Sequence, residues 1–353
     1  MRPVFEFVKL TKQINKPRLT MKTNRRRFIK QAAMGAAGLG LAASLPDYLY
    51  AGANKEMFFK LSLSQFSFAS QFWTKKLDPL DFASKSKELG ISGLDYCSMF
   101  FADKAKDTNY LNDLKKRAAD NGSYNLRIMV DLLGVPGSLG NLDDKLRLQQ
   151  VEAHYQWIDA AATLGCPMIR VNLDGEGNPD DVAKASVDSL VRLLEYGKKQ
   201  NIDVIVENHI GISCNGAWLA EVMKQVNNSH CGTLADFGNF CINRTKPETQ
   251  DIAGYMKTKC LEEYDRYKGI AELMPFAKGV HAKTHLFDAN GNDTETDFYR
   301  MFKIIKDSGF KDWVSIEYEG GLFKMYNPGS PYLGDYEGVA ATKKLVEKAG
   351  AMV

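Results

Sequence analysis

The chain has 353 residues, of which 44% are hydrophobic and 25% charged, with a formal net charge of +3. This is an ordinary composition for a globular enzyme and supplies ample apolar material for one large core. Residues 1–53 hold 10 of the 46 basic and 2 of the 43 acidic residues, leaving 36 against 41 and a net charge of −5, a poor match for a nucleic-acid phosphate backbone.

Residues 24–30 read Asn-Arg-Arg-Arg-Phe-Ile-Lys, which resembles a twin-arginine export signal. The mildly apolar run 31–45 that follows is 15 residues long, too short for a membrane span of roughly 20. Ala51-Gly52-Ala53 then offers a small-x-small cleavage site. Residues 1–53 are therefore expected to be a signal region, cleaved or disordered, with the mature protein starting near Asn54 and occupying 54–353. Translation starts at Met1 or at Met21, just ahead of the arginines. The competing reading is a basic arm ending in a helix. The export reading implies a periplasmic location and the twin-arginine machinery as a partner. The six cysteines, at 97, 166, 214, 231, 241 and 260, form no C-x-x-C pair. That spacing argues against a zinc ribbon or a disulfide framework and leaves isolated disulfides open.

From residue 59 short β-rich runs alternate with helical stretches. Strands are expected over 60–66, 93–96, 125–131, 168–172, 203–207, 232–236, 279–283 and 313–317. Helices are expected over 79–89, 110–121, 143–164, 179–200, 217–226, 295–308 and 336–349. One more helix falls inside a longer excursion, 241–275. Gly90, Gly122 and Gly165 follow three of these helices, where glycine commonly ends them. Eight strands alternating with eight helices predict parallel strands. In about 300 residues they fit a single α/β domain, a closed (β/α)8 TIM barrel. No G-x-G-x-x-G follows an early strand, so a dinucleotide fold has no support.

Strands of such a barrel all end at one mouth, where active sites are built. The fifth ends at Glu207, the sixth at Asp236 and the eighth at Glu317, and the seventh carries His281. Each follows an apolar run, where a carboxylate is expensive unless compensated. One shared cation would neutralise three carboxylates that otherwise repel. Three carboxylates and one imidazole suit Mn²⁺ best, with Mg²⁺, Co²⁺ or Zn²⁺ as alternatives. The competing reading is four ordinary strand-end polar groups satisfied by helix N-termini and arginines.

The stretches Val-Ile-Val-Glu-Asn-His (204–209), Leu-Ala-Asp-Phe-Gly-Asn (234–239), Val-His-Ala-Lys (280–283) and Ser-Ile-Glu-Tyr-Glu-Gly (315–320) carry a resemblance. The chain over 59–349 resembles the sugar phosphate isomerase/epimerase superfamily, the xylose-isomerase-like barrels. The ketose 3-epimerases of that group imply that Glu207 and Glu317 both bind the metal and move the proton. The two would act on opposite faces of a substrate carbon, through an enediolate. Glu319 has the parity of Glu317 and could replace it as ligand.

Other residues carry further expectations. Lys283 shares the strand face of His281 and reads as a substrate contact or as a salt-bridge partner. His209 follows Glu207 by two and reads as a substrate contact or a loop cap. Arg170 and Asn172 share a face of the fourth strand and are candidates for substrate hydroxyls. Trp73, with Gln65, Phe66 and Phe240, is a candidate pocket wall, although core aromatics are commoner. His154 and His230 read as structural or exposed.

The function expected from these residues is metal-dependent isomerisation or epimerisation of a small carbohydrate, by proton transfer next to a carbonyl. The same enolisation can expel a leaving group, giving a lyase or dehydratase on a keto-sugar, keto-glycoside or keto-inositol. An endonuclease IV-like nuclease is disfavoured because Asn239 stands where a histidine would be needed and the whole chain has five histidines. A non-catalytic carbohydrate-binding barrel is disfavoured by the complete ligand set. The sequence is compatible with a homo-oligomer.

Overall fold

A computed structural model describes residues 57–132, 134–249 and 252–353. The expected signal region, with its arginine motif and cleavage site, lies outside them. Eight strands form a closed parallel barrel: β1 (Lys60–Ser64), β2 (Gly93–Cys97), β3 (Tyr124–Met129), β4 (Met168–Asn172), β5 (Asp203–Glu207), β6 (Cys231–Asp236), β9 (Ala277–Thr284) and β10 (Trp313–Tyr318). The order around the barrel is β1-β10-β9-β6-β5-β4-β3-β2. The expected (β/α)8 architecture is therefore the observed one.

Each barrel strand is followed by a helix on the outside, from Phe82–Glu88 after β1 to Asp335–Met352 after β10. Most begin on a side chain that accepts a backbone N–H. Asp107, Asp143, Asn178, Asn215, Asp265 and Asp297 all do so. Such caps each contribute about 1 kcal/mol and fix where the helix starts. The long helix Asp144–Leu164 stops at Gly165, whose φ of 85° needs a residue without Cβ.

Alternation along the strands sorts the side chains. Ile169, Val171, Val204, Val206, Val280, Ala282, Val314 and Ile316 are fully buried in the shell between sheet and helices. Each such burial stabilises by about 1–3 kcal/mol. Residues of the other parity face the barrel axis, and many are polar: Ser62, Asp95, Arg127, Arg170, Glu207, His281 and Glu317. Strand register aligns their upper ends. Asn172 pairs with Glu207, Asp236 with His281, and Glu317 with Lys283.

Two details depart from the sequence expectations. The first strand ends at Ser64, because its Oγ accepts the Phe66 N–H and turns the chain into a short 3-10 helix. The excursion after β6 holds more than a helix. It forms an antiparallel hairpin of β7 (Cys241–Arg244) and β8 (Cys260–Glu263), joined by a Cys241–Cys260 disulfide. The other four cysteines are buried and free. Among the described residues no helix is long and apolar enough to cross a membrane.

Candidate metal centre

Glu207, Asp236, His281 and Glu317 meet where four neighbouring strands end. Each offers one ligand atom, and these atoms all lie within 4.8 Å of one another. His281 Nδ1 is 3.1 Å from Glu207 Oε1, 3.4 Å from Glu317 Oε2 and 3.7 Å from Asp236 Oδ2. All four side chains are buried. Glu319 has no place in this group. It pairs instead with Lys283, Nζ to Oε1 at 2.9 Å.

Each carboxylate is held by its other oxygen. Arg170 Nε lies 2.8 Å from Glu207 Oε2. Ser64 Oγ donates to Glu317 Oε1 at 2.7 Å. The Gly238 and Asn239 N–H groups donate to Asp236 Oδ1 at 2.7 and 3.0 Å, so the Asp-Phe-Gly-Asn turn aims Oδ2 into the site. Asp236 Oδ2 and both ring nitrogens of His281 are buried and make no hydrogen bond within the chain. Buried polar atoms of this kind normally have partners. A hard divalent cation fits them, since three carboxylate oxygens and one imidazole nitrogen match Mn²⁺, Mg²⁺, Co²⁺ or Zn²⁺.

The protonation energetics of the bare cluster point the same way. Burial pushes the Asp236 carboxyl up to about 8; Lys283 opposes this, and the two glutamates add to it. Burial also works against ionised Glu207 and Glu317. For Glu207 it is outweighed by Arg170 and His281, and for Glu317 by Lys283 and His281, so both end below the ordinary carboxylate range. Burial opposes a charged His281, but Glu317 and Glu207 carry its imidazole well above its usual value. The carboxylates thus recruit positive charge wherever they can find it, and a cation would replace those protons.

The other expected site residues take distinct places around this cluster. Arg170 is buried against two acids, its Nη1 bonding Asp131 Oδ1 at 2.8 Å while its Nε faces Glu207. Asn172 completes that corner, donating to Asp131 Oδ1 at 2.8 Å and accepting from Arg170 at 3.0 Å. Lys283 sits among acids, with Nζ 3.0 Å from Glu317, 3.5 Å from Asp236 and a hydrogen bond to Asn239 Oδ1 at 3.2 Å. His209 is half-buried, and its Nδ1 has no hydrogen-bond partner. Trp73 lies in an aromatic group built by the loops after β1 and β2, edge-on to Phe66 at 5.9 Å and 6.0 Å from Phe100. Gln65 is buried and ties β1 to β2 by accepting the Cys97 N–H.

Three residues that sequence reasoning passed over support the cluster. Asp131 follows the third strand as a strand-end carboxylate, the same signal that marks the ligands. Ser64 reaches Glu317 across 253 residues of sequence, which no local pattern reveals. Asn208 is fully buried beside Glu207. Its Oδ1 accepts the Asp236 N–H at 2.8 Å, and its Nδ2 donates to the Asp236 and Asn239 carbonyls at 3.0 and 2.9 Å.

The described residues form a closed parallel barrel with a buried carboxylate–imidazole cluster at its strand ends, an arrangement that could hold a metal ion. The chain belongs to the xylose isomerase-like TIM barrel family, whose model matches residues 84–336. No curated protein matches it in sequence. Among solved structures it is similar to an L-ribulose 3-epimerase, at 16% identity over 83% of this chain and 96% of that one, with a TM-score of 0.58. It is similar to 3-keto-D-glucoside 4-epimerase from E. coli, at 15% identity over 82% and 99%, with a TM-score of 0.57. It is also similar to the IOLI protein solved with a zinc atom, at 15% identity over 83% and 98%, with a TM-score of 0.57. At these identities the likeness is one of fold.

Proposed function

We propose that this chain is a divalent-metal-dependent sugar isomerase or epimerase that moves a proton next to a carbonyl. The observation that carries the reading is the placement of Glu207 and Glu317 on either side of His281 Nδ1, at 3.1 and 3.4 Å. Each has its outer oxygen fixed and its inner oxygen in the cluster. A divalent cation held by Glu207, Asp236, His281 and Glu317 would supply Lewis-acid polarisation of a substrate carbonyl and adjacent hydroxyl, acidifying the neighbouring C–H. Glu207 would take the proton from one face, and Glu317 would deliver a different, solvent-derived proton to the other, after which Glu207 releases its own proton to solvent. Arg170 and Ser64 hold the two carboxylates in the orientation this needs. Lys283 Nζ, beside Glu317, favours negative charge developing on the substrate oxygens. The sugar and keto-glycoside epimerases among the structural relatives support a carbohydrate substrate.

The experiment is deuterium exchange. Manganese-loaded residues 54–353 are incubated in D₂O with a panel of ketoses and 3-keto-glycosides, and the products are followed by NMR. Metal-dependent deuterium beside the carbonyl, lost in Glu207→Gln and Glu317→Gln, is the expected result. An intact product identifies an epimerase or isomerase, and a lost water or aglycone identifies the lyase alternative. No exchange with any keto-substrate despite stoichiometric metal refutes proton transfer.

Export belongs to the same reading. It is supported by the order of arginines, apolar run and small-x-small site in residues 24–53. The partly exposed Cys241–Cys260 disulfide, a bond that persists mainly in oxidising compartments, adds to that support. N-terminal sequencing of the periplasmic fraction should find a start near Asn54. A full-length protein retained in the cytoplasm refutes it.

A further inference from the structure

One layer below the metal cluster the barrel axis carries a second, unassigned charge pair. Asp95 on β2 and Arg127 on β3 are both completely buried, and Arg127 Nε donates to Asp95 Oδ1 at 3.0 Å. Ser62 Oγ donates to the other oxygen, Oδ2, at 3.3 Å. An isolated buried ion pair is weak evidence for stability, because desolvation offsets most of its attraction. Another role is needed to explain it.

The neighbours of His281 supply that role. Among the described residues its charged contacts divide by ring nitrogen. Nδ1 faces Glu207, Asp236 and Glu317, whereas Nε2 faces Asp95 Oδ2 at 3.7 Å. That separation is an electrostatic contact rather than a formed hydrogen bond. Both groups are completely buried, and once a cation offsets the three carboxylates around Nδ1, a carboxylate on the other side biases the proton to Nε2. Gly279, two residues before His281 on β9, makes the arrangement sterically allowed. A Cβ there would sit 2.1 Å from Arg127 Nη1, so the glycine leaves room for the guanidinium that anchors Asp95.

We propose that Asp95 is a positioning residue for the metal centre. It keeps the His281 proton on Nε2, so that Nδ1 presents its lone pair to the cation. With the proton on Nδ1 instead, an N–H would point into the three carboxylates and the fourth ligand would be lost. Carboxylates behind ligating histidines set ring orientation and tautomer in this way. The proposal rests on the reading of Glu207, Asp236, His281 and Glu317 as metal ligands.

The test compares the wild-type chain with Asp95→Asn and with the double variant Asp95→Leu/Arg127→Met. The double variant removes both charges together and should fold at least as stably as the parent. Mn²⁺ affinity is measured by chelator competition, and imidazole nitrogens are observed by ¹H–¹⁵N NMR of the zinc-loaded protein. The expected result is one equivalent of metal in the wild type and about 10- to 100-fold weaker binding in both variants. Unchanged melting of the double variant beside that loss separates positioning from a merely structural role. Affinity within about threefold of wild type in the double variant overturns the proposal. Should neither variant fold, the zinc-loaded wild type decides it: a His281 Nε2–H shifted downfield and protected from solvent exchange, as a carboxylate acceptor requires, upholds the proposal, and ligation through Nε2 or an Nε2–H without that shift and protection overturns it. A wild type that binds no metal refutes the metal reading itself, a separate outcome.

Discussion

Asn208→Ala is expected to destabilise the barrel by about 3–5 kcal/mol while leaving every proposed metal ligand in place. The side chain is fully buried and makes three hydrogen bonds at 2.8–3.0 Å to the β6 end and the turn after it. Two of them satisfy carbonyls and contribute about 1 kcal/mol each. The third satisfies the buried Asp236 N–H, and leaving such a donor unpaired costs about 1–3 kcal/mol. A domain with about 5–15 kcal/mol of stability survives that loss, so the variant can be purified and measured. Urea unfolding followed by tryptophan fluorescence gives the difference. Ser64→Ala, which removes one bond to Glu317, is the internal comparison and should cost about 1 kcal/mol. Because Asn208 also clamps the turn that aims Asp236 Oδ2, Mn²⁺ affinity should fall alongside stability. A loss under about 1 kcal/mol with unchanged metal affinity would refute the claim that this clamp shapes the site.

Three further outcomes follow from the geometry. Saturating Mn²⁺ at about 100 times its dissociation constant should add about 2.7 kcal/mol and raise the melting temperature by roughly 4 °C relative to protein in EDTA; identical melts in the two conditions would count against the metal centre. Replacing Cys241 and Cys260 by serine should expose Lys246, Lys257 and Lys259 to trypsin but leave the global melting temperature within about 2 °C, because the bond closes only the surface hairpin; a large global drop would contradict this. His154 has its imidazole lowered to about 4 by burial, against the carbonyl of Gln150 at 2.7 Å. Below pH 6.5 the unfolded chain takes up a proton that the folded chain refuses. Its contribution is therefore full above about 6.5 and is lost progressively as pH falls to about 4, about 3 kcal/mol in all. His154→Gln should flatten the urea-stability profile between pH 7 and 4.5, and parallel profiles would exclude His154 as the cause.

The fold was legible because its strands are apolar runs and its helices end on glycine and begin on Asp or Asn. The four proposed ligands were legible for one physical reason: a carboxylate or imidazole at the end of a buried strand needs a partner. Asp95 carries the same anomaly, an acid inside Gly-Leu-Asp-Tyr, but mid-strand, where no rim argument points to it. Ser64 and Asn208 gave no signal, since their importance lies in hydrogen bonds to residues distant in the chain. Trp73 and Phe66 read equally as core or pocket wall, and the structure places them in one half-buried aromatic group beside the mouth. The β7–β8 hairpin was invisible for the opposite reason. Its residues are largely exposed, so no alternation marks them, and 19 residues separate the paired cysteines without a motif.

The position of that disulfide bears on how the molecule matures. Neither cysteine belongs to a barrel strand, and the covalent link closes a hairpin inserted after the ring position of β6. Ring closure and helix docking therefore need no oxidant. A chain can complete its barrel under reducing conditions and receive the cross-link as a separate finishing step. Assembly of the barrel and reinforcement of the rim are thus separable in time.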